Sequence, residues 1–139
     1  MDFKLSLKRS LNYWTKEFGG VKFKLKYPTI EQGKKLEVLE RECYEYEVTQ
    51  DATDPEKTLI KVKDVHTDKV VEKRRYEIKI WIEDWEGMTE DGNPVKCELV
   101  NNELEASLHW ALVRDIRVMN ELHNFLKEEI EFADIDKKK

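Results

Sequence analysis

The sequence predicts an α+β fold, with antiparallel strands near the N-terminus and a predominantly helical C-terminal half. Three observations carry this. Apolar residues alternate with polar ones in two early segments, an apolar stripe at helical spacing runs from Leu104 to Ile130, and turn signals at Gly19-Gly20, Pro28 and Asp91-Gly92 break the chain between them. The 139 residues fit one domain, 1–139, with a strand-rich region over 1–65 holding one capped helix, a helical region over 66–133 and a frayed tail over 134–139.

The first alternation sets Phe3, Leu5 and Leu7 against Lys4, Ser6 and Lys8, the pattern of a half-buried strand. The second, after Gly19-Gly20, sets Val21, Phe23, Leu25 and Tyr27 against Lys22, Lys24 and Lys26. Between them the segment around Tyr13, Trp14 and Phe18 reads as a wide loop or a short helical turn. Pro28 stops the second strand, and Thr29 with Gln32 then makes a T-x-x-Q capping box, in which each side chain satisfies a backbone N–H at a helix start. Ile30, Leu36, Leu39, Cys43 and Tyr46 give that helix an apolar stripe, while Lys34, Lys35, Glu37, Glu40 and Arg41 face water.

Residues 50–57 form a polar loop holding Pro55, after which Leu59, Ile60, Val62 and Val65 suggest a short strand ending in a turn at His66-Thr67-Asp68. Over 70–85 two periods compete. Tyr76, Ile78, Ile80 and Ile82 alternate like a strand, whereas Val71, Ile78, Ile82 and Trp85 share one helical face; length and the acidic and basic pairs at helical spacing favour helix. Gly87, Asp91-Gly92 and Asn93-Pro94 then mark an ordered loop or tight hairpin between helical segments, fixed by Trp85, Gly87, Gly92 and Pro94 with Trp85 packed beneath. Asn101 or Asn102 caps a long helix carrying Leu104, Leu108, Leu112, Ile116, Met119, Leu122, Leu126 and Ile130, with a break near Arg114-Asp115.

The charged and hydrophobic fractions are both 40%, enough for a core beneath a heavily charged surface. The net charge of −5 comes from interspersed acids and bases, so no basic field exists to neutralise a phosphate backbone, and nucleic acid is not the expected partner. No apolar stretch reaches the length of a membrane span, and the first ten residues lack a signal-peptide core. The expectation is a protein that stays in the cytoplasm where it is made, with Cys43 and Cys97 as free thiols.

No catalytic constellation stands out. His66, His109 and His123 lie far apart, none at ligand spacing from another histidine or a cysteine, so a zinc site would require the fold to bring ligands together. The acidic segment Glu83, Asp84, Glu86, Glu90 and Asp91 lacks the alternation of a calcium loop. Serine elbows and glycine-rich phosphate loops are missing, so neither enzymatic activity nor a cofactor or metal is expected. Trp14, Trp81, Trp85 and Trp110 read first as core, with Trp81 and Trp85 stacked along one helical face; an exposed aromatic would point to a binding surface.

Two segments, FKLKYPTIEQGKKLE (23–37) and WIEDWEGMTEDGNPVKCELVNNELEASL (81–108), together resemble the small tail assembly chaperones of tailed bacteriophages, encoded beside the tape measure gene. The resemblance rests on the Pro-Thr-capped helix start and on Asp84, Trp85, Gly87, Asp91, Gly92, Pro94 and Asn101 or Asn102, and covers about half of the chain. It implies a non-catalytic morphogenesis factor in the host cell cytoplasm that holds a tail component such as the tape measure protein and self-associates. The alternatives are a virion structural protein of the neck or tail, or an accessory protein that binds a host factor. On this reading the partner surface is the C-terminal apolar stripe, with Leu108, Leu112, Met119, Leu122 and Leu126 as contacts, because the stripe is longer than one neighbouring helix covers.

Overall fold

The computed structural model describes residues 10–50, 53, 54 and 56–137; the strand expected at 3–8, Pro55 and residues 138 and 139 lie outside these. Strands β1 (Ser10–Trp14) and β2 (Lys22–Lys26) are followed by helix α1 (Ile30–Glu42), strands β3 (Tyr44–Gln50) and β4 (Thr58–Val65), and helix α2 (Thr67–Trp81). Strand β5 (Ile82–Glu86) follows at once, then two short hairpins, β6 (Thr89–Glu90) with β7 (Asn93–Pro94) and β8 (Leu99–Val100) with β9 (Glu103–Leu104). Helices α3 (Ala106–Val113) and α4 (Ile116–Lys137) complete the chain. The expected α+β architecture is observed, with antiparallel strands at the N-terminal end and helices dominating the C-terminal half.

The central sheet has the order β1-β2-β5, all antiparallel. The segment around Tyr13 and Trp14, expected as loop or helical turn, is strand β1. An irregularity between Ser10 and Tyr13, with Asn12 at a φ of 50°, hides its alternation from the sequence. Gly19-Gly20 makes the turn into β2, with φ values of 58° and 84° and reciprocal backbone hydrogen bonds between Phe18 and Val21. Phe23 and Leu25 point into the core as expected, whereas Tyr27 lies beyond the strand and is partly exposed. Lys26 is buried, and its ammonium donates to the Asn102 carbonyl at 2.7 Å.

The Thr29/Gln32 capping box forms as read. The helix it starts stops at Glu42, so Cys43 is its C-cap and Tyr46 belongs to β3. Ile30 is largely exposed, which leaves Leu39 and the half-buried Leu36 to anchor α1.

Over 70–85 both periods operate in succession. Residues up to Trp81 are helical, and β5 begins at Ile82. Ile78 and Ile80 are both fully buried although they project from opposite sides of α2, because the end of this helix is enclosed between the sheet and α4. Trp85 therefore lies on a strand and does not stack with Trp81 along a helix. It sits opposite Phe23, ring edge to face at 6.4 Å, while Trp81 stacks on His123 at 5.3 Å. His66 is the N-cap of α2 and not part of a turn.

Asn101 and Asn102 do not cap a helix. Both have left-handed backbones, with φ of 52° and 63°, and form the turn between β8 and β9; the cap of α3 is Glu105, whose carboxylate accepts from the N–H groups of Ser107 and Leu108. The expected break falls between Val113 and Ile116, with Asp115 accepting from the N–H groups of Arg117 and Val118. Helix α4 continues to Lys137, into the segment expected to fray.

Candidate protein-binding surface

Helix α1 delivers the chain to Cys43, and the alternating sequence from Tyr44 to Gln50 leaves as β3. It returns as β4, and the His66 N–H closes the ring by donating to the Cys43 carbonyl at 2.8 Å. Both strands favour extended backbone because β-branched and aromatic residues occupy alternate positions. They pair only with each other, so among the described residues their outer edges carry no further strand.

Directly opposed residues of an antiparallel pair share a face. Tyr46 stands opposite Val62, and Val48 opposite Ile60, with Tyr44 and Tyr46 rings 6.2 Å apart. These four residues form one apolar face. They are 53% (Tyr46), 64% (Val48), 69% (Ile60) and 55% (Val62) exposed. The reverse face pairs Glu47 with Lys61 and Thr49 with Leu59, and Lys63 approaches Glu45 at 3.6 Å. The ribbon is thus amphipathic but has water on its apolar side. Covering what remains exposed of each apolar residue is worth about 1 kcal/mol, and the alternating charges discourage indiscriminate pairing along the edges.

The residues expected to bind a partner lie elsewhere. Met119 (0% exposed), Leu122 (2%) and Leu126 (0%) are core, and Leu108 and Leu112 are half-buried against that core. This corrects the sequence reading: α4 meets α2 and α3 together, so Met119, Leu122 and Leu126 of its stripe are covered inside the chain. Apolar side chains that do reach water on these helices are Trp110, Ile116, Val118 and Phe132.

Trp85 is buried under the β6–β7 region and donates its indole N–H to the Val95 carbonyl at 2.7 Å, beside Pro94. Asp91-Gly92 forms the turn, with φ of 50° and 80°. Gly87, at a φ of 90°, leaves no room for a Cβ beside the Gly20 carbonyl.

Among the described residues, polar groups divide into structural pairs and one open cluster. His109 lies 2.7 Å from the Arg75 carbonyl, and burial pushes its pKa down. His123 meets Glu77 at 3.2 Å. Burial raises both thiols, Cys97 to about 12, which disfavours the reactive thiolate. Glu83, within the acidic segment, accepts from Ser10 at 2.7 Å. At the root of the β3–β4 ribbon, Glu45, Asp64 and His66 bring three ligand atoms within 4.8 Å of one another. Histidine and cysteine spacing missed this group because two of its members are carboxylates and one comes from the opposing strand. The Asp64-x-His66 alternation was the available signal.

Comparison of the chain with protein-family models, with curated proteins and with solved structures found no match.

Proposed function

We propose that this chain is a non-catalytic protein-binding factor whose contact surface is the apolar face of the β3–β4 ribbon, acting as a tail assembly chaperone or morphogenesis factor of a tailed bacteriophage. One observation supports the binding surface above the others. Tyr46, Val48, Ile60 and Val62 form a contiguous apolar face on a projecting ribbon that nothing else in the described chain covers. A face of this kind suits an apolar stripe on a helical client, while surrounding charge keeps the free protein in solution. The phage assignment rests on the resemblance of segments 23–37 and 81–108.

The test is co-expression with a helical tape measure segment, followed by pull-down and light scattering, with Val48→Glu/Ile60→Glu as the variant. Loss of client binding with an unchanged circular dichroism spectrum is the expected result. Full binding by the folded double variant would remove the ribbon from the proposal. Capture of host proteins but no tail component, or stoichiometric presence in finished virions, would overturn the chaperone assignment while leaving the surface in place.

A further inference from the structure

We propose that Glu45, Asp64 and His66 form a binding site for a divalent transition-metal ion of the zinc type at the root of the β3–β4 ribbon. The backbone places the ligands. Glu45 and Asp64 are cross-strand partners and share a face, and His66, two residues beyond Asp64, follows the same alternation. Their ligand atoms lie within 4.8 Å of one another, so rotamer adjustments of about 1 Å bring them to the spacing required around an ion at zinc-ligand distances.

The side chains are available for this. His66 occupies the N-cap of α2 but makes no side-chain capping bond, and its Nε2 stands 3.9 Å from Glu45. Asp64 uses Oδ1 to accept from the Val65 N–H at 2.8 Å, which steadies the carboxylate and leaves its other oxygen open. The competing cation is Lys63, 3.6 Å from Glu45 and largely exposed, which an incoming ion displaces at little cost. One imidazole nitrogen with two carboxylate oxygens favours zinc, cobalt or nickel over magnesium or calcium, which take oxygen ligands. Water completes the coordination, and an ion held there joins β3, β4 and the start of α2 into one unit. This site stands apart from the protein-binding proposal, since the three ligands are not on the apolar face.

Untagged protein titrated with Zn2+ by calorimetry, and with Co2+ by visible absorption, tests the assignment. The expected result is one ion per chain, with His66→Ala and Asp64→Asn each lowering the affinity by about tenfold or more and the metal-free melting temperature little changed. Cys43→Ser/Cys97→Ser is expected to bind as the parent chain does. Three outcomes would overturn the site: no Zn2+ binding at millimolar concentration, binding unaffected by His66→Ala, or Mg2+ bound as tightly as Zn2+.

Discussion

Trp85 donates its indole N–H to the carbonyl of Val95 at 2.7 Å while its ring meets Phe23 edge to face, so a single side chain fastens the β6–β7 hairpin to the central sheet. Trp85→Ala removes both attachments and is expected to cost about 3–5 kcal/mol, read by chemical denaturation. Trp85→Phe keeps an aromatic ring on Phe23 and is expected to lose less.

Two glycines of the same region separate backbone strain from crowding. Gly92, at a φ of 80°, has open space where a Cβ would stand, so Gly92→Ala is expected to cost about 1–2 kcal/mol from the left-handed backbone alone. At Gly87 a Cβ would collide with the Gly20 carbonyl, which is backbone and cannot swing away. Gly87→Ala is therefore expected to lower the melting temperature well beyond Gly92→Ala; equal effects would contradict the close approach.

Met119 and Leu122 supply a contrast with the ribbon. Met119→Ala is expected to cost about 2–5 kcal/mol, because a fully buried side chain leaves a cavity. Glutamate at either position is expected to abolish the folded circular dichroism signal. Glutamate at Val48 or Ile60, by comparison, is expected to change stability by no more than about 0.5 kcal/mol, as at other exposed sites.

His109 sets the direction of one pH effect. Burial, with Lys79 and Arg75 nearby, lowers its pKa below the ordinary 6.5, so the folded chain holds the neutral ring. The unfolded chain then takes up a proton first as pH falls, and the stability present above about 6.5 declines as pH drops toward the folded-state value. Denaturation midpoints measured from pH 8 to 5 check this, and His109→Gln is expected to flatten the decline over that interval.

Local patterns foretold much of the fold. The capping box at Thr29, the Val21–Leu25 alternation and the break before Ile116 each depend on residues a few positions apart, which a sequence displays directly. What escaped depended on partners distant in the chain. Ile78 and Ile80 look like a strand because an enclosed helix end buries opposite sides, and the α4 stripe looked available because nothing local shows that α2 and α3 both cover it. Half of the ribbon was legible, since Leu59 to Val65 reads as a strand and is β4, but β3 was hidden because Tyr46 extends the apolar spacing of α1, which masked the change of period at Cys43.

The hydrogen bond from the His66 N–H to the Cys43 carbonyl brings together the two points at which the ribbon joins the rest of the chain. The chain between them leaves and returns to the same point, and none of its described residues belongs to the buried core. Reach and surface chemistry can therefore change there by insertion, deletion or exchange without renegotiating the core. A lineage of such chains is free to keep one body while exchanging the ribbon that it carries.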